Sequence, residues 1–267
     1  MQSQPTGLFC RSLCRRWIIA LIWIAAGSAA EAATREQVEA EVERLTRTIN
    51  ETPQQASAYV KRGDAFFALH EFDKSVADYT QALRIDDKQD RAYLGRGMAL
   101  GRAGEVERGI RDISVYLQRH PDDSYALTKR GVRYLWIGKV DQAYDDLSRA
   151  VKLNDSNAEA HDDLGVIYSQ RKQYDTAIHH FNSTISTDPS YQKAYHNIAI
   201  AYYLTSRNAE ALAAVDKSLL LRPDNRMSML LKAVILDEFG RHEEAQKIRD
   251  DAEMVQDGNW SEQMVIK

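Results

Sequence analysis

The stretch "HDDLGVIY" (residues 161–168) puts a histidine beside two aspartates, residue types that bind metals and move protons. Its meaning comes from the stretches 34 residues away on either side, "LTKRGVRY" (127–134) and "YHNIAIAY" (195–202). Small residues recur in register at Gly131, Gly165 and Ala199, and aromatic residues at Tyr134, Tyr168 and Tyr202. A fixed period of this length marks a chain built of stacked units, and it takes precedence over any local motif.

Working outward, the period accounts for six abutting units: 56–89, 90–123, 124–157, 158–191, 192–225 and 226–259. Position 8 holds Gly63, Gly97, Gly131, Gly165, Ala199 and Ala233. Position 11 holds Phe66, Leu100, Tyr134, Tyr168, Tyr202 and Leu236. Position 20 is small throughout (Ser75, Gly109, Ala143, Ala177, Ala211, Ala245), and position 24 is large and apolar until Arg249 in the last unit. Positions 4, 8 and 11 share one helical face, as do 20, 24 and 27, so each unit is predicted to be two helices. Gly104, Gly138 and Gly240 at position 15 mark the turn between them. Asp73, Asp141 and Asp175 open the second helix, where a negative charge suits the helix N-terminus. Small residues at 8 and 20 predict a close approach of the two helices.

The stretch "HDDLGVIYSQRKQYDTAIHHFNSTISTDP" (161–189), and "YTQALRIDD" (79–87) in the first unit, resemble the tetratricopeptide repeat family. That resemblance implies an all-α fold, a right-handed solenoid of antiparallel helix pairs with a concave face lined by positions 2, 5, 9, 12 and 13 of the first helices. Two departures stand out. Position 7 is Arg62, Arg96 and Arg130 in the first three units, where leucine is usual; their stems are expected to pack while the guanidinium reaches water. Tyr116 replaces a small residue at position 27, predicting reshaped packing around the second unit.

A stacked array needs closed ends. Val38, Val42, Leu45 and Ile49 form one stripe, predicting an N-terminal capping helix within 34–55. The second helix of the last unit carries Gln246, Arg249 and Glu253, and its apolar stripe narrows to Ala245, Ile248, Ala252 and Val255, so the array is expected to end there. A short tail follows at 260–267, with Trp260, Met264, Val265 and Ile266 available to fold back.

Residues 1–30 differ from the rest. They contain no acid, and Arg11, Arg15 and Arg16 precede the apolar run "WIIALIWIAA" (17–26) and the small residues "GSAAEAA". This is the pattern of a secretory signal peptide, with cleavage fitting after Ala30 or Ala32. The alternative is an uncleaved N-terminal anchor facing the periplasm, but the uncharged stretch from Trp17 to Ala30 is only 14 residues, against roughly 20 needed to span a bilayer. The chain is therefore expected to be periplasmic or secreted. Its only cysteines, Cys10 and Cys14, lie before the apolar run, so removal of the leader leaves no thiol. A net charge of −4 gives no support to nucleic-acid binding.

His161 falls at a packing position, equivalent to Tyr59, Tyr93 and Tyr195, and reads as a buried structural histidine. Asp162 and Asp163 are expected on the concave side, with His196 of the next unit beside Asp162. Two such ligands are too few for a zinc site. His179 and His180 are expected to face solvent. There is no GxSxG, HExxH, Walker or GxGxxG motif, so neither catalysis nor a cofactor is expected.

Position 9 reads Asp64, Met98, Val132, Val166, Ile200 and Val234, five successive apolar residues along the implied groove. Phe67, Leu94, Trp136, Tyr203 and Leu230 lie near it, and Lys129, Asp162, His196 and Asn197 interrupt it with polar groups. An apolar stripe rimmed by polar groups suits a peptide or helix of a partner protein. The residues with which some family members clamp a C-terminal carboxylate are not in place: Val60, Asp64, Gly95, Tyr125 and Lys129 stand at those positions. The expected function is an exported interaction scaffold; the alternative is a self-associating structural solenoid of the cell envelope.

Overall fold

The computed structural model describes residues 35–255; the leader at 1–30 and the tail at 260–267 lie outside the described residues. Among those residues there are thirteen helices and no strand. α1 spans 35–51. Then come α2 (Ala56–Ala68), α3 (Phe72–Ile85), α4 (Asp90–Arg102), α5 (Val106–Arg119), α6 (Ser124–Trp136) and α7 (Val140–Leu153). They continue as α8 (Ala158–Gln170), α9 (Tyr174–Thr187), α10 (Gln192–Leu204), α11 (Asn208–Leu221), α12 (Arg226–Glu238) and α13 (His242–Met254). The first helix of each pair begins at Ala56, Asp90, Ser124, Ala158, Gln192 and Arg226, a spacing of 34 residues.

The turn inside each pair is the same device six times. Position 15 adopts a left-handed backbone in every unit: Gly104 (φ 89°), Gly138 (φ 72°) and Gly240 (φ 71°), but also His70 (φ 61°), Lys172 (φ 59°) and Ser206 (φ 59°). The amide of the next residue then donates back to the carbonyl at position 11, as in Lys139 to Tyr134 and Gln173 to Tyr168, both at 2.9 Å. This satisfies a carbonyl that the helix end would leave open. Asp123, Asn157 and Asn225 cap the first helices α6, α8 and α12 through their side chains.

The described residues divide into two compact units, one running up to Ala92 and the other starting at Tyr93. In the first, α2 packs on α3, Leu45 and Ile49 of α1 are buried, and Tyr79 is 2% exposed. In the second, α5 packs on α6, α7 on α8, α9 on α10 and α11 on α12; beyond these adjacent helices, α8 touches α6 and α10, and α10 touches α12. Ile113, Leu127, Leu147, Leu164 and Ile167 form one buried cluster of this unit, with Tyr168 packed against it. Ile178, Phe181 and Ile198 form the next, and Tyr168 packs against that one too. Position 20 approaches position 8 as closely as backbone allows in the second repeat: a Cβ on Gly109 would stand 2.5 Å from the Gly97 carbonyl oxygen. Tyr116 is accommodated by a hydrogen bond from its hydroxyl to Asp123 Oδ2 (2.7 Å) and by stacking on His120.

The arginines at position 7 differ from expectation. Their side chains keep only 17–21% exposure, and each guanidinium, instead of ending free in water, forks onto an aspartate at position 23 of its own repeat. Arg62 donates to both oxygens of Asp78 at 2.7 and 2.8 Å, Arg96 to Asp112 at 2.6 and 2.9 Å, and Arg130 to Asp146 at 2.7 Å twice. Arg62 adds a bond to Thr46 Oγ1 (3.0 Å) and Arg130 one to Ser114 Oγ (3.1 Å). The reason is electrostatic: a guanidinium this close to the helix interface is desolvated, and a planar carboxylate there matches its fork better than a thin film of water.

Candidate functional site

The candidate surface is the face of the second unit made by α4, α6, α8, α10 and α12. Along it, position 9 is half-buried at Met98, Val132, Val166 and Ile200 and 41% exposed at Val234. Val166 gives part of its side chain to the core formed around Phe181. Leu94, Leu230, Trp136 and Tyr203 are half-buried as well. Tyr125, Leu204 and Met227 add more open apolar surface, 49%, 51% and 49% exposed. Phe67 belongs to the first unit, where it meets the Phe72 ring edge-on at 5.5 Å.

The polar residues of this face are engaged with one another across neighbouring first helices. Lys129 of α6 pairs with Glu159 of α8 and its ammonium lies 5.0 Å from the centre of the Tyr125 ring. Asp162 of α8 accepts from Asn197 Nδ2 of α10 at 3.0 Å, and Lys193 Nζ stands 3.1 Å from its other oxygen. Asp162 and Asp163 are not open groove residues: they are 0% and 8% exposed. His196 does not lie beside Asp162. Its Nδ1 pairs with Ser228 Oγ of α12 at 2.9 Å. Lys193 and Asn197 are four residues apart and share the α10 face turned to α8, whereas His196 is one residue round the helix and faces the other neighbour. Tyr203 likewise reaches α12, donating to Glu238 at 3.4 Å.

Burial sets the electrostatics. It raises the Asp162 carboxyl above the ordinary range, against the pull of Lys193 and Asn197. It raises Asp163 to about 7, where the Lys193 charge lowers the value and Asp162 and Glu159 add to the rise. Burial works against the Lys193 ammonium too, but Asp162 and Asp163 hold it above the usual lysine value. Arg133 is an arginine that the groove reading passed over. It is 3% exposed, donates to the Lys129 and Met98 carbonyls at 2.7 and 3.0 Å, and burial lowers it to about 10. The apolar or small residues at its position in the other units (Ala65, Ala99, Ile167, Ala201, Ile235) and Gly101 opposite it were the available signal; a Cβ on Gly101 would stand 2.5 Å from Arg133 Nε.

The histidine of the motif is structural. His161, 3% exposed, pairs through Nε2 with the Asp155 carbonyl at 3.0 Å and through Nδ1 with His180 Nδ1 at 2.9 Å. His179 is exposed, but His180 is half-buried and stacks on Tyr168 with ring centres 5.2 Å apart. Burial, then the His161 and His179 rings, hold His180 down to about 4, so it is neutral at pH 7. The pair therefore joins α8 to α9 by a hydrogen bond. Among the described residues no three His, Cys, Asp or Glu side chains are placed to hold a metal ion, and no helix is long and apolar enough to cross a membrane.

A family model described as tetratricopeptide repeat matches residues 60–124 and 196–249. A comparison with curated protein sequences yields no match. Among solved structures the chain is similar to the APC/C hetero-tetramer Cut9-Hcn1, with a TM-score of 0.71 at 14% identity, over 86% of this chain and 45% of that one. It thus spans less than half the length of that neighbour. It is also similar to YrrB, described as a TPR protein with an unusual peptide-binding site (TM-score 0.56, 22% identity, 70% of this chain and 97% of that one). A third neighbour is MamA, with a TM-score of 0.54 at 26% identity over 60% of this chain and 94% of that one.

Proposed function

Since the chain belongs to the tetratricopeptide repeat family, we propose that it is a non-catalytic scaffold that binds a peptide or helical segment of a partner protein. The segment lies on the first-helix face of the second unit. The observation that carries this reading is the unbroken line Met98, Val132, Val166, Ile200 and Val234, one apolar residue on each of five successive first helices, none of them fully buried. A partner's apolar side chains would complete the burial that the fold leaves unfinished, at about 25 cal/mol per Å² of apolar surface removed from water. A structural relative, YrrB, is described as having a peptide-binding site, which favours the same use of this fold.

Peptides selected from a random display library by the full chain are expected to lose about 100-fold in affinity when Val132 and Val166 are both changed to glutamate. The helical circular dichroism spectrum should not change. Undiminished binding by the folded double variant would place the binding surface elsewhere.

The scaffold acts outside the cytoplasm, in the periplasm, delivered by the leader at 1–30. Fractionation of a C-terminally tagged chain is expected to show a periplasmic species whose N-terminus begins after Ala30 or Ala32. A full-length cytoplasmic species alone would remove export from the reading.

A further inference from the structure

Glu159, Asp162 and Asp163 are spaced three and four residues apart on α8, so their carboxylates share one side of that helix. Two lysines face them. Lys129 is engaged with Glu159. Lys193 serves the two aspartates, but unequally: its ammonium is 3.1 Å from Asp162 and 3.8 Å from Asp163, beyond hydrogen-bond distance. Asp162 Oδ2 is sealed from solvent and receives no well-formed hydrogen bond despite that ion contact. Among the described residues, Asp163, with its side chain 11% exposed, makes only the long contact to Lys193. Three carboxylates thus face two ammonium groups, and two of them, Asp162 and Asp163, are nearly dry, where a carboxylate short of donors is expensive.

The lysine is the movable member. Its side chain is 58% exposed, against 0% and 11% for the aspartates it caps. Swinging it outward restores its own hydration. An ammonium is a point charge that can sit close to one carboxylate at a time; a planar guanidinium presents a fork that serves two. Val166 lies four residues on from Asp162 on α8, one turn along the same side, and the half-buried Val132 of α6 and Ile200 of α10 hold the equivalent position on the neighbouring first helices.

We infer that Asp162 and Asp163 form the seat for an arginine side chain of the bound partner segment, whose guanidinium takes the place of the Lys193 ammonium while apolar neighbours in the segment cover Val132, Val166 and Ile200. The inference rests on the groove reading above and gives the partner its chemistry: a segment with an arginine set among apolar residues. The groups that set the seat's charge are Glu159, Asp162 and Asp163 on α8, Lys129 on α6, and Tyr191 and Lys193 at the start of α10. Asp163, raised to about 7 by burial, loses its charge as the pH falls through that value. Arginine binding therefore strengthens as the pH rises through about 7 and weakens below it.

The probe is the best peptide selected by the full chain, against the same peptide with arginine replaced by citrulline, which keeps the shape and removes the charge. Selected peptides are expected to be enriched in arginine. Citrulline should weaken binding to the natural protein about ten-fold or more and have little effect on Asp163→Asn. Lys193→Met, which removes the competing ammonium, should tighten the arginine peptide. If the selected peptides depend on Val132 and Val166 but ignore citrulline, Asp163→Asn and Lys193→Met, the groove stands and the arginine seat falls. If no peptide depends on Val132 and Val166, both readings fall together.

Discussion

Changing Arg130 to isoleucine alone is expected to destabilise the second unit by about 3 kcal/mol, and adding Asp146→Ala is expected to recover most of that loss. The Arg130 and Asp146 side chains are 21% and 9% exposed, and both oxygens of the carboxylate are taken by the guanidinium. Removing the arginine leaves a buried carboxylate without its partner, a change that costs about 3–5 kcal/mol in comparable pairs. Removing both partners leaves an apolar contact instead. The chain already contains that solution: the same two positions are Ile198, 2% exposed, and Ala214 in the fifth repeat. Urea unfolding followed by circular dichroism measures both variants. A single substitution that costs under about 1 kcal/mol would mean that water reaches Asp146 freely.

Phe181→Ala is expected to cost about 3–5 kcal/mol, with the loss concentrated in α8, α9 and α10. Phe181 is 1% exposed and fills the space that Gly165 leaves open, so that a Cβ on Gly165 would collide with the phenyl ring. Its other neighbours are Ile178 on its own helix and Ile198 and Ala201 on α10 of the next repeat. Truncation creates a cavity between two helix pairs that small residues cannot close. Amide exchange should accelerate in those three helices well before it does in α13, because stability in a stacked array is summed over nearest neighbours. A uniform acceleration over the whole unit would contradict that locality.

Much of this architecture was legible because it repeats. The small residues at positions 8 and 20 and the large ones at 4, 11 and 24 describe a helix pair wherever they recur, and Gly104, Gly138 and Gly240 mark its turn. The glycine signal understated the turn, since His70, Lys172 and Ser206 take the same left-handed backbone; a polar residue tolerates it at modest cost where a full set of back-bonds holds the loop. The arginines at position 7 were visible, and so were their partners: Asp78, Asp112 and Asp146 stand at position 23 in the same three repeats. Each column was polar for a reason that lay in the other.

The first-helix face was harder to read. Counting by 34 sets Asp162 against His196, but the bonds actually made join Asp162 to Asn197 and Lys193, and His196 to Ser228. A period names equivalent residues; it does not say which side of a helix turns toward which neighbour. A shift of one residue turns a side chain by about 100° and changes its partner. For the same reason His180 looked solvent-exposed by position, although the His161 ring draws it into a hydrogen bond.

Within the second unit, each described helix contact joins neighbours or helices one place further on. A globular domain ties distant parts of its chain together and resists stretching until it breaks all at once. Here tension applied along the chain meets only local fastenings, and the unit peels away one helix pair at a time and winds back when the load is released. A body of this kind yields under strain without failing as a whole.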